Sequence, residues 1–255
     1  VWDSVGFQER VARAVAESEV LGRPARTLDP GHYRVYLAPA ALSEVIGLLC
    51  WGGFGITAQK TRRTPLLQMI NGSATLDSSV NILEDTGANL TANFDDAGFI
   101  KPGRITLMEQ GRLSEPLVSA RAAKEFGVPS NGAGPRESPD SLAMAGGVIP
   151  RQDVLSILGT GIFINNLWYL NYSDRNAGRM TGMTRFATFW IENGEVQAPI
   201  NAMRFDETPY QMLGERLGGL TQEVELLPDS NTYGCRSTRS QRLPGALVDE
   251  FALTL

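Results

Sequence analysis

The chain has 255 residues, a mass of 27.7 kDa, a formal net charge of −5 and a single histidine. This length can bury a hydrophobic core as one large domain or two small ones, and the ordinary hydrophobic content of 42% argues against a disordered chain. A mildly acidic chain lacks the excess of positive charge that is typical of nucleic-acid-binding proteins, so no nucleic-acid partner is expected.

The histidine and cysteine counts exclude several kinds of catalytic site. Two or three histidine ligands for zinc cannot come from this chain alone, and any serine or cysteine triad would have to use His32. Cys50 and Cys235 make neither a disulfide framework nor a CxxC pair. Low cysteine use without a signal peptide predicts a cytoplasmic protein. The lack of any run of about 18 apolar residues predicts that no membrane is a partner.

The first half of the chain predicts helices and short strands separated by polar loops. Pro39 suits a helix start, Gly111 supplies the positive φ of a hairpin turn, and Gly127 ends a helix. The glycine-rich residues 52–55 lack the ending of a phosphate loop and are interpreted as a place of close packing. Residues 72–103 are polar and turn-rich, which predicts a long surface excursion. Periodicity predicts helices at 5–21, 40–50 and 119–126 and strands at 33–37, 104–109 and 112–117.

The second half of the chain is mostly β. Asn193-Gly194 is the strongest hairpin signal in the sequence. Helical patterns are found at 151–158 and 209–220. Strands are predicted at 162–170, 185–192, 195–200, 223–227 and 246–253. Because helices and strands follow no steady βαβ rhythm, the predicted fold class is α+β, with mixed, largely antiparallel sheets and flanking short helices.

Arginine is used far more than lysine, with twenty arginines and three lysines. The planar guanidinium suits carboxylates, including the C-termini of peptides, whereas a balance of surface charge explains the same pattern without a ligand. Both interpretations stay open at this point. The basic residues concerned are Lys60, Arg62 and Arg63, then Arg175, Arg179 and Arg185, and finally Arg236, Arg239 and Arg242.

One hairpin resembles a known family. Residues 187–200 closely resemble the signature hairpin of the TldD/PmbA family of proposed zinc metallopeptidases, also labelled modulators of DNA gyrase. Further segments resemble the family's motifs in the expected order, from a strand and helix near the start to a cysteine loop near the end. These segments are 36–47, 103–113, 120–132, 159–164 and 231–235. Through them, residues 28–255 are identified as a member of the family, similar to its C-terminal domain.

The resemblance implies a domain organisation and a metal site. Family members usually carry a further N-terminal domain, so residues 1–27 are expected to be a helical remnant or linker from it. Catalytic members hold zinc with two histidines of an HExxxH motif and a cysteine near the C-terminus. Here the corresponding residues 44–53 contain no histidine, and Cys235 matches the cysteine position. Cys235 is therefore the candidate metal ligand. No catalytic or cofactor-binding residue is assigned, and zinc is expected only in a partner subunit.

The lack of the HExxxH histidines implies that the chain belongs to the family's non-catalytic branch, similar to TldE/PmbA. The chain would bind or enclose peptides and pair with a zinc-bearing, TldD-like subunit, or form a homodimer. Arginines and exposed strand edges would hold the peptide substrate in extended form. Whether the chain is itself an enzyme stays open.

Two alternatives remain beside this hypothesis. The first is a self-sufficient metallopeptidase or a cysteine-dependent hydrolase that uses Cys50, Cys235 or His32 in an unfamiliar site. The second is a binding module without protease activity, such as the gyrase modulator that the older family label suggests.

Overall fold

Two β-sheets and short helices make up the fold. A computed structural model describes residues 3–95 and 97–254. Val1 and Trp2 of the predicted N-terminal segment, and Leu255 at the other end, lie outside the described residues. The predicted α+β class with mixed, largely antiparallel sheets and short helices is confirmed.

The strands and helices are numbered in chain order. The strands are β1 (Gly31–Leu37), β2 (Ile82–Glu84), β3 (Ile105–Glu109), β4 (Arg112–Leu113), β5 (Ser141–Met144), β6 (Gly161–Asp174), β7 (Arg179–Glu192), β8 (Glu195–Pro199), β9 (Arg204–Glu207), β10 (Leu217–Leu220), β11 (Glu225–Pro228), β12 (Ser240–Leu243) and β13 (Ala246–Leu253). The helices are α1 (Ser4–Leu21), α2 (Pro39–Cys50), α3 (Ile56–Lys60), α4 (Leu67–Ile70), α5 (Ala120–Phe126) and α6 (Val154–Leu158).

The larger sheet closes on itself. Its order is β1-β6-β7-β9-β13-β10, β8 pairs with β7, and β1 pairs again with β13. The pairing of β1 with β6 is parallel, and the other pairings in this sheet are antiparallel. The predicted hairpin between β7 and β8 turns at Asn193 and Gly194, whose φ angles of 53° and 79° suit a tight turn.

The smaller sheet has the order β11-β12-β5-β2-β3-β4. In it, β12 and β5 run parallel, and the other neighbours are antiparallel. Strand β12 ends at Leu243 and β13 of the larger sheet begins at Ala246, so only two residues connect one sheet to the other.

Helix α2 lies between the two sheets. Pro39 occupies its first turn, where a backbone N–H has no intrahelical partner to lose. Leu42, Val45, Ile46 and Leu49 are fully buried, and α2 packs against β1 and β6 of the larger sheet and β11 and β12 of the smaller. Because apolar side chains on α2 meet both sheets, the position of its C-terminal end is fixed.

The predicted helix at 209–220 is wrong beyond its first turn. A π-helical turn covers Gln211–Glu215, and strand β10 follows directly. Gly214, with φ −120° and ψ −107°, leaves the helical region inside that turn. Two more glycines follow in β10, and each glycine costs a helix about 1 kcal/mol relative to alanine. Pairing with β13 therefore prevails over the helical pattern.

The sequence pattern does not predict four of the short strands: β2, β5, β9 and β12. Each has three or four residues, too few for alternation to be visible. Strand β2 lies inside residues 72–103, which the sequence predicts as a surface excursion, yet Ile82 is fully buried and β2 is an inner strand of the smaller sheet. The ribbon of β6 and β7 is also longer than predicted, since its strands extend to Asp174 and begin at Arg179.

Helix α1 has no buried residue. Asp3 caps it by accepting a hydrogen bond from the Gly6 backbone N–H at 3.0 Å. Its apolar residues Val5, Val11 and Val15 are 64%, 46% and 55% exposed, and the helix contacts β8. The assignment of residues 1–27 to a remnant of another domain stays a prediction.

Among the described residues, no helix combines the length and the apolar content that crossing a bilayer requires.

Glu84 in β2 is a buried carboxylate that connects β2 to the start of β5. Its two oxygens accept hydrogen bonds from the backbone N–H groups of Asp140 and Ser141 at 3.1–3.2 Å. Burial raises the pKa of Glu84 from 4.5 to about 7, against the lowering effect of these hydrogen bonds.

Gly111 at the turn between β3 and β4 fits where no other residue can. Its φ is +71°, and an added Cβ would stand 2.2 Å from the Leu76 carbonyl oxygen and 2.6 Å from that of Asp77. Gly72 has the same φ of +71° but nothing within 4 Å of an added Cβ. The two positions therefore separate the cost of the backbone conformation from the cost of a steric clash.

We expect Gly111→Ala to destabilise the protein much more than Gly72→Ala. The left-handed conformation costs either alanine about 1–2 kcal/mol, and only the first substitution adds a clash with backbone atoms. Urea denaturation of both variants measures the free energies of unfolding. Equal losses at the two positions would contradict the packing described for this turn.

Replacing Glu84 with glutamine is expected to change how stability depends on pH. Between pH 4.5 and about 7 the folded protein holds the Glu84 proton more tightly than the unfolded chain does, so stability falls as the pH rises through this range. Relative to the parent, the free energy of unfolding of Glu84→Gln should therefore rise across this range by up to about 3 kcal/mol. Urea denaturation at several pH values measures it. The exposed Glu115→Gln serves as control; identical pH profiles for both variants would refute the assignment.

Candidate functional site

A groove with a volume of about 1660 Å³ opens at the C-terminal end of α2. We call it the α2 groove. Its walls are the end of α2 and the turn after it, α3, the start of α5, the turn between β6 and β7, and loop residues 91–95, 97–101, 133–140 and 236–239. The groove thus brings together segments from both halves of the chain.

The described side chains that line the α2 groove carry more positive than negative charge. Seven of them are basic and four are acidic. Asp140 is paired, since its Oδ2 accepts from Lys101 Nζ at 2.8 Å and its Oδ1 from Arg239 Nε at 3.0 Å. The other basic side chains form no ion pair with any described residue; they are Arg63, Arg121, Arg136, Arg175 and Arg236. The groove is therefore basic, although the chain as a whole is acidic.

Glu137 is a buried structural carboxylate in the lining of the groove. It is 4% exposed, and its Oε2 accepts from the Thr57 backbone N–H at 2.9 Å, in the first turn of α3. Its Oε1 accepts from the backbone N–H and the hydroxyl of Ser119, the N-cap of α5, at 3.2 and 2.9 Å. One carboxylate thus satisfies donors at the start of two helices and fixes both against the same loop.

Arg175 is held in place by two aromatic rings and two carbonyl groups. Its guanidinium carbon lies 4.8 Å from the ring centroid of Trp51 and 5.2 Å from that of Tyr172. Its Nε donates to the Arg63 carbonyl oxygen at 2.9 Å, and its Nη2 donates to the Trp51 carbonyl oxygen. Tyr172 is anchored in turn, because its hydroxyl donates to the Leu48 carbonyl oxygen at 2.8 Å. Burial raises the pKa of Tyr172, which keeps this hydroxyl a neutral donor.

Two backbone features allow this placement of Arg175. Gly52 has a φ of +84°, and an added Cβ would stand 2.6 Å from Nη2 of Arg175. The interpretation of residues 52–55 as a place of close packing is therefore correct at Gly52. On the other side, Asp174 Oδ1 accepts from the backbone N–H groups of Asn176 and Ala177 at 3.0 and 3.1 Å, which shapes the turn that carries Arg175.

The structure does not bring the candidate nucleophiles and the histidine together in the groove. Cys50 lines the groove, but burial raises the pKa of its thiol to about 12, so it stays protonated and is a poor nucleophile. Cys235 is exposed and directly precedes the groove residues 236–239. His32 lies in β1 and is not among the described residues that line the groove.

The residues present do not fit a zinc ion of the kind that catalytic relatives use. Helix α2 offers Glu44 and Cys50 as its potential ligands, and Glu44 is exposed outside the groove lining. Within the described part of the chain, no three His, Cys, Asp or Glu side chains are grouped closely enough to hold a metal ion. Cys235 as a metal ligand stays a prediction.

The basic residues singled out by sequence separate in space. Arg185 stacks on Trp168 and Phe186 of the β6–β7 ribbon, with its guanidinium carbon 5.2 and 5.3 Å from the ring centroids. It does not line the α2 groove. Four of the nine do line it: Arg63, Arg175, Arg236 and Arg239.

Sequence reasoning misses the residues that hold Arg175 in place. Trp51 and Arg175 are 124 positions apart, and no local pattern at either position indicates their contact. The glycine at position 52 is the one nearby signal, since it predicts close packing without naming the partner.

Three solved structures share this fold. TldE from Thermococcus kodakarensis matches with a TM-score of 0.81 at 16% identity, over 99% of this chain and 56% of that one. A proposed modulator of a DNA gyrase from Thermotoga maritima matches with 0.76 at 18% identity, over 94% and 54%. A proposed modulator of DNA gyrase from Bacteroides thetaiotaomicron matches with 0.72 at 16% identity, over 96% and 51%. The chain thus spans about half the length of each of these structures.

Sequence comparison agrees with the fold. Metalloprotease PmbA of Escherichia coli O157:H7 is 28% identical over 109 residues, which make up 42% of this chain and 23% of that protein. The family model of the PmbA/TldA metallopeptidase C-terminal domain matches residues 30–255. That match includes every strand of both sheets and the whole α2 groove. The chain belongs to the TldD/PmbA metallopeptidase family.

Proposed function

We propose that this chain is a peptide-binding, non-catalytic subunit of a TldD/PmbA-family peptidase and that it pairs with a zinc-bearing, HExxxH-containing subunit. The observation that carries the proposal is the α2 groove. It lies at the end of the helix where the family's histidines are expected, next to the loop that follows Cys235, yet α2 contains no histidine.

The size of the groove favours a polymeric ligand. Its volume of about 1660 Å³ exceeds the roughly 300–1,000 Å³ of pockets that enclose small molecules. An extended peptide fits an open groove of this kind, with side chains and backbone contacting opposite walls. The groove would hold the peptide while the chemistry takes place elsewhere.

The partner subunit would supply the catalytic chemistry. Metal-assisted hydrolysis of a peptide needs a zinc-bound water of lowered pKa and a carboxylate that accepts its proton. We assign neither role to a residue of this chain. In the absence of such a partner, a homodimer is the expected assembly. A cytoplasmic location, inferred from the low cysteine count of two, is part of the same proposal.

Metal analysis and a peptidase assay test the division of labour between the two subunits. The purified chain is expected to contain zinc well below one equivalent and to cleave no peptide alone. Mixed with an HExxxH-bearing relative from the same genome, it should raise cleavage above that of the relative by itself. Changing the glutamate of the relative's HExxxH motif to glutamine should abolish cleavage by the mixture.

Stoichiometric zinc together with cleavage by the lone chain would reject the partner-subunit proposal in favour of a self-sufficient enzyme. In that case Cys235→Ser would show whether Cys235 is a ligand, through loss of bound zinc. Co-purification with an unrelated protein, and with no relative bearing HExxxH, would favour a binding module without protease activity.

A further inference from the structure

Arg175 has hydrogen-bonding capacity that the described structure does not use. A guanidinium carries five N–H donors. Nε and one N–H of Nη2 are engaged by the carbonyl groups of Arg63 and Trp51. The remaining donors have no partner among the described residues, and Arg175 lines the α2 groove.

The guanidinium of Arg175 is also held rigidly before any ligand arrives. The rings of Trp51 and Tyr172 contact it, and the two carbonyl groups set its orientation. Gly52 leaves the space that this orientation needs. A side chain that is already fixed loses little conformational entropy on binding, so such an arrangement favours affinity.

Arg63 supplies a second cationic side chain to the groove lining. The Arg63 carbonyl accepts from Arg175, which places the two residues next to each other, and both line the groove. The Arg63 side chain has no hydrogen bond or ion pair with any described residue. Both side chains line the groove without an ion pair, and the fixed guanidinium of Arg175 offers its remaining donors to an anionic group.

We propose that this pair binds a carboxylate of the peptide, either its free C-terminus or an aspartate or glutamate side chain. The inference rests on the proposed peptide-binding function and adds to it a preference for peptides that carry a carboxylate at this position. A planar guanidinium fork matches the two oxygens of a carboxylate, which gives direction as well as attraction. A nucleic acid is the poorer occupant, because the chain carries a net charge of −5 and the nearby Asp140 neutralises two further cations of the groove.

Fluorescence anisotropy with matched peptides tests the proposal. The probe is a short labelled alanine–serine peptide in four forms: free or amidated at the C-terminus, each with glutamate or glutamine at one internal position. Binding of the forms with a carboxylate is expected to be about tenfold tighter than binding of the fully neutral form. Comparing the glutamine peptide that has a free C-terminus with the glutamate peptide that has an amidated C-terminus identifies which of the two carboxylates the site prefers.

Two variants localise the effect. Arg175→Gln should reduce the difference between acidic and neutral peptides to nearly nothing, whereas Arg175→Lys should keep part of it because the charge remains without the fork. Arg185→Gln is the matched control: it removes the same charge from another arginine stacked on two aromatic rings, outside the groove. It should keep the full preference. If Arg175→Gln fails to fold, Arg63→Gln replaces it, since that side chain has no described partner to lose.

The possible outcomes separate this inference from the function on which it rests. Equal binding of acidic and neutral peptides would overturn the carboxylate site and leave peptide binding standing. No binding of any peptide would reject both. A single-stranded oligonucleotide that binds more tightly than the acidic peptides, with loss in Arg175→Gln, would also overturn the inference and indicate phosphate as the ligand.

Discussion

The burial of helix α2 between the two sheets is the constraint on which the rest of the molecule depends. Its fully buried residues Leu42, Val45, Ile46 and Leu49 each contribute about 1.5–3 kcal/mol relative to exposure. They contact strands of both sheets, so α2 cannot shift or rotate without exposing apolar surface that is now buried in the core. The turn at Trp51 and Gly52, which begins where α2 ends, is fixed as a result, and with it one wall of the groove.

Buried carboxylates fix other segments at and near the groove. Glu84 ties β2 to the start of β5 through the backbone of Asp140 and Ser141, and Glu137 caps α3 and α5 from one loop. Asp140 forms ion pairs with both Lys101 and Arg239. Two of the four acidic residues that line the groove, Glu137 and Asp140, are used for these internal contacts, and five arginines of the groove form no ion pair with any described residue. An acidic chain thereby acquires a basic groove.

The family relationship accounts for the fold of this chain and leaves the chemistry of its groove open to variation. Solved relatives such as TldE share the fold over nearly all of this chain at low identity. A fold preserved at such identity can carry different site chemistry, because function depends on the residues of the site and not on the backbone around it. Here the groove has aromatic rings and guanidinium groups at the end of α2, and α2 contains no histidine.

Segments whose pattern is long or sharp can be predicted from sequence alone. Helix α2, strand β13 and the Asn193-Gly194 hairpin follow from periodicity and turn chemistry within a few neighbouring residues. Strands β2 and β5 cannot be predicted in this way, because they are stabilised by partners far along the chain; Glu84 and Ser141 are 57 positions apart. The segment around Gly214 shows the reverse case, in which an apparent helical pattern gives way to pairing with β13.

Residue identity and order are enough to identify the family, the α+β class and the lack of histidine in α2. Which arginines share a groove and which are neutralised depends on the tertiary structure, because charge pairing and stacking act between residues that are brought together by burial of α2 and by the β6–β7 ribbon. Trp51 and Arg175, for example, are 124 positions apart. No local pattern encodes a contact of that range.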